Sequence, residues 1–92
     1  MKKIIDKGIL LKAVRKWGNH SQISMAIEEC TELSLALQKH FRSPSPETIA
    51  NIEDEIADVI IMMEQMQLIF NKEKIMERID FKMHRLQGRI EQ

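Results

Sequence analysis

Apolar residues recur at steps of three and four along most of this chain, and the pattern is interrupted at few places. The interruptions are Gly18, the Ser-Pro-Ser-Pro segment 43–46, and the polar residues at 71–73. Such steps are the period of an amphipathic helix, and the strict alternation typical of a half-buried strand is missing. The pattern therefore predicts an all-α fold of four helices in a single domain, residues 1–92.

The first two predicted helices are separated by a glycine. Residues 4–17 are expected to be helical up to Gly18, which suits the left-handed conformation at a helix end. Asn19 to Ser21 then offer caps for a second helix over residues 21–41. Cys30, the only cysteine, is interpreted as a packing residue of that helix. The apolar stripe expected to face the core consists of Ile23, Ala26, Cys30, Leu33, Leu37 and Phe41.

The third predicted helix, residues 46–70, is apolar on more than one side. Pro46 suits its first position, because proline has no N–H to leave unpaired there. A helix that is apolar on two sides is usually buried on two sides, which in so short a chain indicates an oligomer interface. The main stripe is Ile49, Ile52, Ile56, Val59, Ile60, Met63, Met66 and Phe70, and the opposite face carries Ala57, Ile61 and Leu68.

The fourth predicted helix covers residues 73–90, and the short proline segment before the third helix makes helices two and three an antiparallel hairpin. We expect this hairpin to be the core of a four-helix bundle that is completed by homo-oligomerisation, as a dimer or a tetramer. The fourth helix is expected to pack through Ile75, Ile79, Met83, Leu86 and Ile90.

Composition narrows the class of protein further. Fourteen basic and 14 acidic side chains give a formal net charge of zero, so no global field favours a nucleic acid or an acidic membrane as partner. No uncharged stretch approaches the roughly 20 residues that span a bilayer, and the charged start has no cleavage site of a signal peptide. A single cysteine cannot form an intramolecular disulfide. We therefore expect a soluble, cytoplasmic protein.

Two acidic clusters are the most informative feature, one on helix two and one on helix three. At about 100° per residue, Glu29 and Glu32 flank the apolar stripe of helix two, and Glu55 and Asp58 share one flank of helix three. Glu53 falls across the stripe and is interpreted as an ordinary surface charge. Two carboxylate pairs at i,i+3 spacing are therefore expected to share one site.

The predicted hairpin brings these two pairs level. Glu32 lies about ten residues before the turn and Glu55 about nine after it, each roughly 14 Å away at about 1.5 Å per residue. Facing carboxylates repel one another unless a cation lies between them. An all-oxygen ligand set favours Mg²⁺, with Mn²⁺ as the alternative, over zinc. A di-iron site is disfavoured, because no histidine follows a glutamate by three residues. The alternative is a solvated acidic helix face.

Glu29-Cys-Thr-Glu32 followed by Glu55-Ile-Ala-Asp58 resembles the signature of the MazG-like all-α NTP pyrophosphohydrolases, which is Glu-x-x-Glu, a spacer, and Glu-x-x-Asp. The likeness extends to Trp17-Gly18, Gln22 and the residues around both motifs, and covers most of the chain. It implies that the four acids bind Mg²⁺ and that water cleaves a nucleoside triphosphate between its α and β phosphates. It also allows Glu28, or one of the four, to accept the proton of that water.

The resemblance also implies residues that hold the substrate. Helix four has a basic face, on which the family's use of a lysine and an arginine implies Lys82 and Arg85 for phosphate; a solvated face is the alternative. Gln22 lies on the same flank of helix two as Glu29 and is expected to border the base. Trp17 is expected either to stack on the base or to anchor helix one. Asn51 is a further candidate for hydrogen bonding.

Three alternatives to a general NTP or dNTP pyrophosphohydrolase remain open at this point. Within the enzyme class, the protein is either specialised for dUTP or dCTP or acts on a phosphoribosyl nucleotide. Outside that class, it is a helical interaction module whose acids are solvated and whose second apolar face binds a partner protein.

Overall fold

The computed structural model describes residues 4–92, and residues 1–3 of the predicted domain lie outside the described part. The described residues form four α-helices and no strand, which confirms the all-α class. The helices are α1 (Lys7–Trp17), α2 (Asn19–Arg42), α3 (Pro46–Ile69) and α4 (Lys72–Ile90).

Local sequence explains where α1 ends and α2 begins. α1 begins at Lys7 rather than at residue 4, because the Asp6 carboxylate accepts from the N–H groups of Gly8 and Ile9. It ends, as predicted, at Gly18, whose φ of +87° is a left-handed conformation that a side chain would strain. α2 follows at once, so the predicted caps from Asn19 to Ser21 lie inside the helix instead.

The α2–α3 turn is held by a network of hydrogen bonds around one threonine. Ser45 caps α3, since its Oγ accepts from the Thr48 N–H (3.0 Å) while its own N–H donates to Thr48 Oγ1 (2.9 Å). Pro46 occupies the first helical turn as predicted. His40 Nδ1 of α2 lies 2.7 Å from the same Thr48 oxygen. Thr48 thus links the end of α2 to the start of α3.

Helix α2 packs chiefly against α3, α1 packs against both, and within the described residues α4 contacts α3 alone. The α2–α3 contact extends from the Gln22–Gln65 hydrogen bond at one end to the His40–Thr48 hydrogen bond at the other. The buried apolar residues are few, and two of them are alanines, which allow the helix backbones to come close. They are Leu10, Val14, Ala26, Ala36 and Met62.

The predicted core stripe of α2 is only partly buried in the single chain, where Ile23 and Leu33 are half-buried. Ala26 is buried as expected, but Cys30 and Leu37 are exposed and Phe41 is 90% exposed. The face toward α3 instead carries Gln22, Ala26 and Ala36. Cys30 is therefore not a packing residue of the single chain.

On α3, most of the predicted core stripe also faces solvent. Its exposed members are Ile49, Ile56, Ile60, Met63 and Phe70. The buried residues of α3 are Thr48, Glu55, Met62 and Gln65. The error has a physical reason: α3 is apolar on several sides, and one chain supplies only enough partners to cover one of them.

Helix α4 does not pack as predicted either. It has no fully buried residue: of its expected packing residues, Ile75 is half-buried, whereas Ile79, Met83, Leu86 and Ile90 are exposed in the single chain. No helix of the described chain combines the length and the apolar character needed to cross a bilayer.

Replacing Thr48 by valine is expected to lower the free energy of unfolding by about 1 to 2 kcal/mol, because it removes the shared hydroxyl of the α2–α3 turn while keeping the side-chain shape. Urea denaturation at one fixed protein concentration measures this loss. The matched control is Thr31→Val, since Thr31 is exposed and its hydroxyl bonds only to the Ile27 carbonyl one turn earlier. We expect less than about 0.5 kcal/mol there; equal losses would contradict the role of the turn.

Candidate functional site

Three of the predicted metal-binding acids meet between α2 and α3. One carboxylate oxygen from each of Glu29, Glu55 and Asp58 lies within 4.8 Å of the other two. Glu29 is on α2, and the other two are separated by one turn of α3, so the i,i+3 spacing places both on the face toward α2. These three residues are called the acid cluster below.

Burial makes this cluster different from an acidic surface patch. Glu55 is only 9% exposed, Glu29 is half-buried, and Asp58 is partly exposed to solvent. The Oε2 atoms of Glu29 and Glu55 are buried and have no hydrogen-bond partner among the described residues. Buried carboxylate oxygens in native proteins nearly always have a partner. A proton, a water molecule or a cation would satisfy these two atoms.

Burial and charge both act on the cluster. Desolvation raises the pKa of Glu29 first, and the negative charges of Asp58, Glu55 and Glu32 raise it further. Desolvation likewise raises the pKa of Glu55, followed by the charges of Glu32, Asp58 and Asp54. For each, the largest charge effect comes from an acid on the opposite helix. Glu29 thus faces Asp58, and Glu55 faces Glu32.

The donor set fits a hard divalent cation. The cluster offers only carboxylate oxygens, two of them buried and unpartnered, which are the ligands that Mg²⁺ and Mn²⁺ prefer. A divalent charge would also offset the repulsion that raises the pKa of Glu29 and Glu55. The described residues place no histidine in the cluster, so it lacks the nitrogen and sulfur ligands typical of zinc.

The other two predicted acids lie at or beyond the edge of the cluster. Glu32 is exposed and outside the group of three, but it borders a cavity together with Glu55. Glu28 is exposed on α2 and does not belong to the cluster. The structure thus brings four predicted ligands to one region, three closely and Glu32 beside them, and leaves Glu28 at the surface.

Trp17 and Gln22, the predicted base-binding residues, line one cavity of about 260 Å³ together with Ser21 and Met25. Trp17 is 57% exposed, and the Lys16 ammonium lies 5.4 Å from the centre of its ring. Gln22 is buried, and its Oε1 accepts a 2.6 Å hydrogen bond from Gln65 Nε2 of α3. The cavity combines an accessible aromatic ring with a fixed amide. We call it the Trp17 cavity.

Lys82 and Arg85 are placed on the exposed surface of α4. Neither forms a salt bridge within the described chain, and α4 makes no contact there with α2. The neighbouring Arg78 guanidinium lies 4.8 Å from the centre of the Phe81 ring. The single chain therefore gives the basic face of α4 no described contact with the acid cluster.

Sequence reasoning missed two residues that the structure places beside the site. Gln65 is one of the most deeply buried side chains and fixes Gln22. Lys39 borders the same cavity as Glu32 and Glu55. The available signal was spacing: Lys39 lies two turns after Glu32 on the same helix face, and Gln65 is a polar residue within an apolar run.

The raised pKa values predict how stability depends on pH in the absence of divalent cations. An acid whose pKa is raised by folding stabilises the fold fully below its unfolded value, about 4.5 here, and this contribution is lost as the pH rises through the folded value. Glu55→Gln removes the part of this dependence that Glu55 contributes, while Glu29 keeps its own. The free energy of unfolding of this variant is expected to exceed that of the wild type by a margin that grows between about pH 5 and 7.5.

Urea denaturation in a chelating buffer measures that margin, with Glu53→Gln as the control on the exposed side of α3. The control is expected to show no growing margin. A margin for Glu55→Gln that is flat across the pH range would contradict the burial of a destabilising charge.

Comparison of the chain with family models, curated proteins and solved structures gives no match. The resemblance to the MazG-like pyrophosphohydrolases therefore depends on the two acidic motifs and the residues around them. The geometry of the acid cluster is an observation independent of that resemblance.

Proposed function

We propose that this chain is a Mg²⁺-dependent nucleotide pyrophosphohydrolase of the MazG-like kind, with Mn²⁺ as an alternative ion. Its reaction is the hydrolysis of a nucleoside triphosphate, NTP or dNTP, to the monophosphate and pyrophosphate. The observation that carries the proposal is the acid cluster, in which Glu29 and Glu55 present buried oxygens without a partner. One cavity, lined in part by Glu32 and Glu55, adjoins this cluster, and the Trp17 cavity precedes it along α2. A phosphate-bearing substrate requires such concave sites.

In this proposal, Glu29, Glu55 and Asp58 hold the ion, and Glu32 completes the ligand set. When bound, the ion neutralises phosphate charge and makes water a better nucleophile at neutral pH. The protein's own contribution is to fix these acids by the close packing of α2 on α3, so that little reorganisation is needed. Glu32, exposed at the edge of the site, is the proposed acceptor of the proton from water, with Glu28 on the exposed surface of α2 as the alternative.

The Trp17 cavity is the proposed site of the nucleoside. An exposed indole ring provides a stacking surface for a base, and base–aromatic stacking contributes about 1 to 3 kcal/mol. Gln22 is held by Gln65 in one orientation, so its amide presents fixed hydrogen-bonding atoms. Such an amide favours some bases over others. The proposal therefore includes an enzyme specialised for dUTP or dCTP, and one that acts on a phosphoribosyl nucleotide.

Purified protein with Mg²⁺ is expected to release pyrophosphate from at least one of a panel of NTPs and dNTPs. Glu29→Gln and Asp58→Asn are expected to lower kcat/KM at least 100-fold, because each removes a charged ligand oxygen (about 2.7 kcal/mol or more). Coupled detection of pyrophosphate measures the rates. Glu53→Gln, an exposed acid on α3 outside the cluster, serves as the control and is expected to keep the wild-type rate. Full turnover in both cluster variants would contradict the site.

We further propose that α2 and α3 form the antiparallel core of a bundle that a second copy of the chain completes. A folded monomer of 10.8 kDa exposes about 5,500 Å² on average, whereas this chain exposes 7603 Å². Its radius of gyration of 15.9 Å also exceeds the roughly 12 Å typical of a chain of this length. The excess area is about 2,000 Å². It lies within the range of roughly 1,000 to 2,500 Å² that an obligate interface buries on each chain.

The exposed apolar residues of α3 and α4 are the proposed contact surface. Ile56, Ile60 and Met63 lie on one face of α3, and Met83 and Leu86 lie on α4, all more than a third exposed. Burying such side chains against a second chain contributes about 25 cal/mol for each Å² of apolar area. A dimer or tetramer supplies the apolar partners that one chain lacks.

Sedimentation of the wild type at micromolar concentration is therefore expected to give a mass of two or four 10.8 kDa chains. Ile60→Glu is expected to shift it toward the single-chain mass, because a charge on this apolar face has no partner. Lys72→Glu, a charge reversal at an exposed position of α4, is the control and should leave the mass unchanged. A wild type that sediments as one chain would contradict the shared core.

The exposed apolar faces also favour one alternative function, a helical module that binds a different protein. In that case the acids serve only as solvated charges, and titration calorimetry should detect no uptake of Mg²⁺ or Mn²⁺ by the purified chain. Uptake that is lost in Glu55→Gln favours the enzyme. For the enzyme, a cytoplasmic location follows as a proposal, since nucleoside triphosphates and Mg²⁺ are both available there.

A further inference from the structure

A second cavity adjoins the acid cluster on the side away from Trp17. It lies between α2 and α3 and has a volume of about 300 Å³. It shares Glu55 with the cluster, and its floor includes the buried Ala36, whose small side chain leaves the space open. Its lining residues are Glu32, Leu35, Ala36, Lys39, Asn51 and Glu55. We call it the Lys39 cavity.

Lys39 is the only cation among these lining residues, and it is not neutralised by them. Two carboxylates, Glu32 and Glu55, line the same cavity, yet in the described chain no carboxylate oxygen lies within 4.0 Å of the Lys39 ammonium. Glu55, which the cavity shares with the acid cluster, also keeps a buried oxygen without a partner among the described residues. The cavity therefore combines an available ammonium, an amide from Asn51 and the edge of a cation-binding cluster. The ammonium and the amide can each donate a hydrogen bond to a phosphate oxygen, and a cation held by the cluster would bind a further one.

The two cavities lie on opposite sides of the acid cluster along α2. Gln22 comes two turns before Glu29, and Lys39 comes two turns after Glu32, so each is separated from the nearest acid by roughly 10 Å at about 1.5 Å per residue. A nucleoside triphosphate has the same order of parts: a base and sugar, the bond to be cleaved, and two terminal phosphates. Only the cavity with Trp17 offers an accessible aromatic ring to the base.

We propose that the Lys39 cavity binds the β and γ phosphates of the substrate and retains them as pyrophosphate after cleavage. The inference rests on the proposed function, and it gives the substrate a direction: nucleoside toward Trp17, pyrophosphate toward Lys39. The Lys39 ammonium and the Asn51 amide donate to phosphate oxygens. In this assignment the cation that binds phosphate is Lys39 of α2, whereas the resemblance implied Lys82 and Arg85 of α4 for that role.

The test is the binding of two products to the full chain in the presence of Mg²⁺, with inorganic pyrophosphate and a nucleoside monophosphate as separate probes in calorimetry. The monophosphate is that of the best substrate, or each of the four common ones if none is turned over. Lys39→Met keeps the length of the side chain and removes its charge. It is expected to weaken pyrophosphate binding about tenfold, or about 1.4 kcal/mol, and to change monophosphate binding less than about twofold. Lys39→Arg is expected to restore most of the pyrophosphate affinity.

Lys74→Met is the matched control, since Lys74 is exposed in the first turn of α4 and lines neither cavity. It is expected to bind both probes like the wild type. Unchanged pyrophosphate binding by Lys39→Met would overturn the inference, and so would an equal loss for both probes, which would place the nucleoside end there. Failure of the proposed function gives a different result, because the wild type would then take up no Mg²⁺ and release no pyrophosphate from any nucleotide.

Discussion

The burial of carboxylates between two packed helices, with the repulsion among them, is the constraint on which the rest of this structure depends. Glu55 is placed on the buried face of α3, where apolar packing alone would favour a larger aliphatic residue. The charges that act most strongly on Glu29 and Glu55 come from the opposite helix. The close packing of α2 on α3 is therefore what brings the negative charges of the two helices together. A cation bound between the helices would neutralise these charges and so offset the free-energy cost of burying them.

The helices meet through small and polar residues rather than through their largest apolar side chains. Ala26 and Ala36 bring the backbones together, and the Gln22–Gln65 hydrogen bond satisfies amides that would otherwise be costly to bury. The larger apolar side chains, such as Ile60 and Phe41, face outward. Because the buried residues are small or polar, there is room for a site between α2 and α3. Because the large apolar residues face outward, an extensive apolar surface is left for the proposed second chain.

The order of residues along the chain determines the direction in which the proposed substrate lies. Trp17, the last residue of α1, and Gln22 of α2 precede the acids, and Lys39 of α2 follows them, so the chain presents an aromatic ring, the proposed metal ligands and a cation in sequence. A nucleotide that lies along α2 would contact all three. In this arrangement α3 supplies the facing acids and Asn51, while α4 lies outside the described site.

The sequence by itself determined the four helices, the breaks at Gly18 and Pro46, and the pairing of the two acid motifs, because these depend on local conformational preferences and on helical period. It also named Trp17 and Gln22 as substrate-binding candidates, and the structure places the two along one cavity. Tertiary structure decided which face of each helix is buried, and within the single chain the predicted stripes of α2, α3 and α4 are buried only in part. A helix with apolar residues on several sides does not specify which side its neighbour covers. Spacing places Lys39 on the helix face of Glu32, but only tertiary structure shows that Lys39 shares a cavity with residues of α3 and that Gln65 bonds to Gln22.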